Sequence, residues 1–304
     1  MSDAAEVDRM RQGDADSTRA FSAHRRLLFT IAYEILGSVA DAEDVVQEAW
    51  IRWDAGDRGD VRDARAYLAR IVTRQALNRL RTVQRRREDY VGTWLPEPMV
   101  TTPDVADDVV LAESVSTAML LVLETLTPLE RAVFVLREVF DFEYEEIAEA
   151  VERSAAAVRQ TAKRARDHVA ARRPRMSVEP DEAERVVERF RAATMTGDVQ
   201  GLVDVLAPDV VFLSDGGGKV TAARRPIEGV ERVLRLLHGL LSQYPDARLE
   251  SAAVNGSPGL LVMIDGAPDG AVSFAIDGGR IMYAYYTRNP DKLTHLTAAP
   301  PLAR

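Results

Sequence analysis

Residues 41–53, Asp41-Ala42-Glu43-Asp44-Val45-Val46-Gln47-Glu48-Ala49-Trp50-Ile51-Arg52-Trp53, carry the reading on which the rest of the chain turns. At 100° per residue, Ala42, Val45, Val46, Ala49, Trp50 and Trp53 fall on one side of a helix, while Asp41, Asp44, Gln47 and Glu48 gather on the other. Gly37-Ser38 precedes the stretch and acids crowd its first turn, where unpaired N–H groups and the positive end of the dipole favour them. The tryptophan side reads as core. The acidic side is solvated surface unless something basic docks on it.

Helical patterns lie on both sides of this stretch. Upstream, residues 1–16 show no periodicity and are expected to be disordered, whereas Phe21, Leu27, Leu28, Ile31, Ala32, Ile35 and Leu36 recur at helical spacing, with Gly37 as the stop. Downstream, the glycines and aspartates of 55–60 predict a loop. A third helix over 64–87 turns Leu68, Ile71, Val72, Ala76, Leu80 and Val83 inward and presents Arg70, Arg74, Asn78, Arg81 and Arg85 on other faces. Three helices over 17–90 make one domain.

Residues 91–107 contain Trp94-Leu95-Pro96-Glu97-Pro98 and a further proline at 103, so they read as an extended linker or spacer. A second helical domain is expected over 108–175: a helix over 109–123, another capped by Thr127 with Pro128 in its first turn, a short one over 144–150, and a last one over 155–171 behind Ser154. In that last helix Val158, Ala162, Ala165 and Val169 face inward, and Arg159, Gln160, Lys163, Arg164 and Arg166 face outward. Small inward and long basic outward residues suit a helix pressed into a major groove. Glu152 lies in the turn between these last two helices, where a non-glycine residue at positive φ would cost about 1 kcal/mol.

At 304 residues with 46% apolar content, the chain has room for two or three domains and their cores. The absence of cysteine excludes disulfides, thiolate metal sites and thiol catalysis, and the four histidines show no metal-ligand spacing, so no metal or cofactor is expected. No apolar run approaches a membrane span and the N-terminus has no signal-like segment, which points to a soluble, cytoplasmic protein without a membrane partner. The net charge of −9 hides two basic islands. Residues 62–87 hold nine arginines against one acid, and 159–175 hold seven basic residues against one acid, a distribution that suggests two contacts with a polyanion.

The motif D-A-E-D-V-V-Q-E-A-W-I-R-W resembles the core-polymerase-binding region of bacterial sigma-70 family factors. The resemblance implies that Asp41, Asp44, Gln47 and Glu48 dock on a basic coiled coil of RNA polymerase. It also implies that the 64–87 helix, with the loop at about 55–63, opens and reads the −10 element of promoter DNA through Arg70, Arg74, Asn78, Arg81 and Arg85. Y-E-E-I-A-E-A-V followed by S-A-A-A-V-R-Q-T-A-K-R-A-R resembles the family's helix-turn-helix, which implies −35 recognition by Arg159, Gln160, Lys163, Arg164 and Arg166.

A linker at 176–180 leads to a different composition over 181–304. Two helices there (186–193 and 202–206), a strand at 210–213, a turn into a partner at 220–224, a helix over 227–244 and four strands at 247–254, 260–265, 271–276 and 281–287 predict an α+β cone. The order resembles SnoaL-like domains, so the fold class is multidomain: two all-α sigma domains, the second with a helix-turn-helix, followed by a SnoaL-like cone. Asp215, Asp265 and Tyr285 are polar groups that a catalytic pocket would need, but Asp265-Gly266 and Asp215-Gly216-Gly217-Gly218 read better as turns, and His238 in a leucine-rich helix as packing. No enzyme activity is therefore expected.

W-L-P-E-P, D-G-G-G-K at 215–219 and N-P-D-K-L at 289–293 together resemble the extracytoplasmic-function sigma factors with a fused SnoaL-like domain. That resemblance implies promoter-specific initiation with core RNA polymerase, regulated in cis through Asp215, Gly216, Gly217, Gly218, Lys219, Asn289, Pro290, Asp291, Lys292 and Leu293, with no separate anti-sigma protein. It is compatible with a small-molecule ligand in the cone. The alternative is a ligand-sensing helix-turn-helix regulator of duplex DNA.

Overall fold

The computed structural model describes residues 2–56, 61–88, 90–101, 116–172 and 178–297. The chain divides into two compact units, one made of residues 1–85 and 123–171, the other of 86–122 and 172–304.

In the first unit, α1 (Ser2–Leu36), α2 (Val39–Ala55) and α3 (Ala64–Glu88, which continues past the unit boundary) bury the apolar stripes expected of them. Helix α1 begins at Ser2, so residues 2–16 of the stretch expected to be disordered are helical. Helix-forming residues such as Ala4, Ala5, Glu6, Met10, Arg11 and Gln12 suffice for this without an apolar stripe. Ser38 caps α2 by accepting from the Asp41 N–H at 3.1 Å. Trp53 is buried and donates its indole N–H to the Ser17 carbonyl at 3.0 Å, while the half-buried Trp50 meets Phe21 edge-on at 5.0 Å. The apolar side of α2 is thus spent on α1, and its acidic side stays outward.

The same unit contains the end of α4 (Thr117–Glu124), then α5 (Pro128–Phe134), a π-helical turn (Val135–Val139), α6 (Tyr144–Val151) and α7 (Ala155–Arg172). Residues 102–115 lie outside the described residues, and with them most of the helix expected over 109–123. Thr127 and Glu130 form a reciprocal capping box with Pro128 in the first turn, so α5 starts where the sequence indicates. Arg131 of α5 is among the largest fully buried side chains of the described residues and was not singled out by the sequence reading. Its Nε donates to the Glu34 carbonyl at 2.6 Å, in the last turn of α1, and it pairs with Glu124. A cation at a helix C-terminus satisfies a carbonyl left over by the helix, and here that contact ties α5 to α1.

Helix α6 ends on Glu152 at φ 55°, ψ 51°, so the left-handed turn is kept although glycine is absent. Relief of that strain, roughly 1 kcal/mol, outweighs the chain entropy a glycine adds and the loss of an exposed ion pair. Glu152→Gly is expected to raise the stability of the protein by about 0.5 kcal/mol, read as a higher denaturant midpoint at unchanged slope. A lower midpoint would show that the Glu152 side chain matters more than its backbone.

The second unit is the cone. Helices α8 (Pro180–Thr196) and α9 (Val199–Val205) lead into β2 (Leu206–Asp215), β3 (Ile227–Glu228), α10 (Val230–Gln243), β4 (Arg248–Val254), β5 (Ser257–Ile264), β6 (Ala267–Asp277) and β7 (Arg280–Thr287). A 3₁₀ turn (Pro290–Lys292) and α11 (Thr294–Thr297) follow. Together with β1 (Val100–Thr101), these strands form one seven-stranded sheet of order β1-β4-β5-β6-β7-β2-β3, antiparallel except for β2 against β7. Phe190, Leu202, Val205, Phe212, Val233, Leu260, Phe274 and Ile281 are among its core residues.

Three expectations change here. The short partner strand is β3 at 227–228, not 220–224, and α10 therefore starts at Val230, after Gly229 at φ 90°. His238 is exposed on α10 and is no packing residue. The spacer is not free: β1 (Val100–Thr101) adds to β4, with Val100 opposite Val254.

Candidate functional site

On α2, the Asp44, Gln47 and Glu48 side chains are exposed and Asp41 is half-buried, so the four residues share one accessible face. The sequence reading missed the cation lying on it. Arg79 of α3 reaches Asp41 Oδ1 at 2.6 Å and Asp44 Oδ2 at 2.5 Å, with Glu48 at 3.8 Å. Its position among the α3 arginines, facing α2, was the signal available. Exposed pairs of this kind contribute about 0–1 kcal/mol, so a stronger basic partner can displace Arg79.

The arginines expected at the −10 element are unequally placed. Arg70 pairs with Glu149 of α6 at 3.0 Å and lies over the Tyr67 ring, and Arg74 donates to the Glu149 and Ala150 carbonyls at 2.6 and 3.2 Å. Both are thus engaged by the C-terminal turn of α6, where carbonyls point outward and attract cations. Asn78 accepts from the exposed Arg81 at 3.2 Å. Arg85 lies on α3, but its side chain is outside the described residues, as are 57–60 of the expected reading loop.

On α7, Val158, Ala162, Ala165 and Val169 are buried and Arg159, Gln160, Lys163, Arg164 and Arg166 are all exposed, as the spacing requires. Arg159 pairs with Glu145 at 2.7 Å, Arg164 with Glu130 at 3.7 Å and Arg166 with Glu138 at 3.5 Å. These contacts orient the basic face without burying it. Solvent-exposed pairs of this kind are readily exchanged for phosphate.

In the second unit the D-G-G-G-K and N-P-D-K-L residues come together around the chain segment 90–99. Asp215, at the end of β2, is fully buried, and its carboxylate accepts from the Tyr90 hydroxyl (2.5 Å), the Leu95 N–H (2.9 Å), the Gly217 N–H (3.0 Å) and Lys292 Nζ (2.7 Å). The sequence reading placed Asp215 at a turn and in the regulatory set, and the glycines of that turn leave room for the segment its carboxylate binds. Lys292 also donates to the Leu95 carbonyl at 2.5 Å and sits over the Trp94 and Tyr90 rings at 4.3 and 4.9 Å.

Asn289 donates to the Tyr90 hydroxyl at 2.8 Å and caps the 3₁₀ turn begun by Pro290. Asp291 pairs with Lys219 at 2.6 Å, and Leu293 is buried. Gly217 stands at φ 62°, and a Cβ there would lie 2.4 Å from the Asn289 side chain, so glycine is required. A Cβ at Gly216 would lie 2.5 Å from the Val220 carbonyl oxygen, and one at Gly218, which stands at φ 70°, would lie 3.1 Å from the Val91 side chain. Further along the segment, Asn255 exchanges two bonds with Met99, donating its N–H to the carbonyl (2.7 Å) and accepting the Met99 N–H at Oδ1 (2.6 Å). The W-L-P-E-P residues Leu95, Pro96, Glu97 and Pro98 are buried as a result.

Among known families, residues 20–87 match Sigma-70 region 2 and residues 116–169 match Sigma-70, region 4. The ECF RNA polymerase sigma factor SigJ of Mycobacterium tuberculosis is 41% identical over 289 residues, covering 90% of this chain and 92% of that protein. The chain belongs to the extracytoplasmic-function (ECF) RNA polymerase sigma factors. The crystal structure of the Mycobacterium tuberculosis sigma factor SigJ agrees in fold with a TM-score of 0.74 at 38% identity, over 94% of this chain and 100% of that one. As an ECF sigma factor the chain binds RNA polymerase and promoter DNA and directs initiation at specific promoters. No described helix is long and apolar enough to cross a membrane.

Burial, partly offset by Asp215, lowers the Lys292 ammonium from its ordinary 10.5 to about 8. Between these values the unfolded chain holds a proton that the folded site has released, so this group adds stability as pH rises from 8 to 10.5. Lys292→Met leaves Asp215 without its cation and is expected to cost about 3 kcal/mol at pH 7. The wild type's advantage should then widen from pH 8 to 10 in denaturant titrations. An advantage that shrinks over that range would contradict the assigned shift.

Proposed function

We propose that this sigma factor docks on polymerase through Asp41, Asp44, Gln47 and Glu48, contacts the −10 element through Arg70, Arg74, Asn78, Arg81 and Arg85, and contacts the −35 element through Arg159, Gln160, Lys163, Arg164 and Arg166. The observation that carries the reading is the segregation of charge: an exposed acidic-polar face on α2, and basic faces on α3 and α7 held by exposed ion pairs and, at Arg74, by two carbonyls of α6. Work with polymerase places the protein in the cytoplasm. The proposed domain bounds remain 17–90 and 108–175 for the sigma regions and 181–304 for the cone.

The cone regulates in cis, in place of a separate anti-sigma protein, by gripping the segment that joins the two sigma regions. Asp215–Lys219 and Asn289–Leu293 form the grip. Segment 90–99 is freed or held by the same bonds, and this sets how the two DNA-reading surfaces can be spaced on a promoter. The cone cavity receives a small molecule and performs no catalysis on it. Among its described lining residues are Tyr286, whose hydroxyl burial and Asp269 push far above neutrality, and Arg288, so a general acid or base of suitable strength is wanting.

Charge reversal at Asp44→Lys with Glu48→Lys is expected to abolish binding to core RNA polymerase while the circular dichroism and melting of the free protein stay as in wild type. Undiminished polymerase affinity would overturn the docking face. For the regulation, run-off transcription with Asp215→Ala is expected to differ several-fold from wild type. Equal transcript yields at equal polymerase affinity would remove the cone from the mechanism.

A further inference from the structure

Residues 117–122 of α4 belong to the same compact unit as the cone, although the match to region 4 begins at residue 116. Ser116 caps this helix by accepting the Met119 N–H at 3.3 Å, and Ala118 and Leu121 pack against Leu95, Ala275 and Tyr285 of the linker and sheet. Between them, Thr117 is taken up by two cone side chains. Its hydroxyl accepts from Ser273 Oγ of β6 at 2.8 Å and from Asn255 Nδ2 at 3.2 Å. The first turn of region 4 is thus held by the cone itself.

Asn255 has a second attachment. Its backbone N–H donates to the Met99 carbonyl at 2.7 Å, and its Oδ1 accepts the Met99 N–H at 2.6 Å. One residue of the cone therefore binds both ends of the stretch 100–116. While it does so, Met99 and Thr117 stay within reach of a single side chain. Released, the extended chain between them spans roughly 50 Å.

The turn in which Asn255 stands does not account for these bonds. Asn255 and Gly256, at φ 51° and 71°, form the two-residue connection between β4 and β5, where asparagine is favoured because its backbone tolerates positive φ. Such a turn makes no demand on the side chain. Here Asn255 is 0% exposed, and both the oxygen and the nitrogen of its amide are used, one on each end of the stretch.

We propose that Asn255, aided by Ser273, is a clasp through which the cone holds region 4 directly, pinning the first turn of α4 to the end of the linker separately from the Asp215 grip. Its opening sets how far region 4 can move from the linker. The clasp stands on the bonds alone, whereas its use in transcription rests on the regulatory reading above, so the test has two arms.

The first arm is site-resolved hydrogen exchange on the full-length protein without polymerase. Asn255→Gly keeps the positive-φ turn and deletes the amide, and Thr117→Val keeps the shape and deletes the hydroxyl. Each is expected to speed exchange of the Leu120 amide, which donates to the Ser116 carbonyl at 2.9 Å, at least tenfold, while the Leu95 amide on Asp215 keeps its protection. Unaltered Leu120 exchange in a folded variant would overturn the clasp. Loss of protection at Leu95 as well would overturn its independence of Asp215. Either variant suffices if the other fails to fold.

The second arm uses the absence of cysteine from the chain: Thr117→Cys with Ser273→Cys places one thiol on each side of the clasp, to be closed by an oxidant and reopened by a reductant. Run-off transcription with core RNA polymerase is expected to fall at least threefold in the closed form and to recover on reduction, at equal polymerase affinity, with the wild type indifferent to both reagents. Equal yields from the closed and reopened forms would overturn the regulatory use of the clasp. A wild type that supports no run-off transcription would overturn the proposed function instead, and the exchange result would still decide the clasp.

Discussion

A carboxylate taken wholly out of water has to be surrounded by donors, and Asp215 obeys this with four: a phenol, two backbone N–H groups and an ammonium. Two of the four, Tyr90 and Leu95, belong to the segment joining the two sigma regions. The cone therefore cannot let go of that segment without leaving a buried charge short of partners, a cost of several kcal/mol. That requirement explains the local sequence around it. Glycines follow Asp215 because a Cβ at Gly217 would strike Asn289, and the prolines and Trp94 beside Leu95 keep the bound segment extended and stacked under Lys292.

The first unit is arranged on the opposite principle. Apart from the buried Arg131, the charges named on its surface are exposed or half-buried and paired with one another: Arg79 with Asp41 and Asp44, Arg70 with Glu149, Arg159 with Glu145. Such pairs keep a highly charged surface compact at little net gain, and phosphates or a basic coiled coil can replace either member. Tight burial on the cone and loose pairing on the sigma regions follow from what each has to do. One surface holds a piece of its own chain, and in the proposed function the others exchange partners during initiation.

Much of this was legible because helices announce themselves through spacing. Ala42, Val45, Val46, Ala49 and Trp53 are buried where the 100° period puts them, and α7 repeats the result with Val158, Ala162, Ala165 and Val169. Motif residues 215–219 and 289–293 were also recognised as belonging together. What they hold was not legible, since bonds such as Tyr90 to Asp215 join residues more than a hundred positions apart and periodicity is silent about such pairs. The same limit hid Arg79 and Arg131, whose partners lie on other helices, and it made a bound segment look like a spacer. Short edge strands such as β1 and β3 carry too few residues to show alternation.

The amide of Leu95 gives the most direct test of the central claim, because its N–H has one assigned partner, the buried Asp215 carboxylate. Site-resolved hydrogen exchange on the full-length protein should find this amide strongly protected, and Asp215→Ala should bring it close to the rate of an unstructured chain while the amides of α2 keep their protection. A Leu95 amide that exchanges freely in the wild type, or that stays protected without Asp215, would contradict the account.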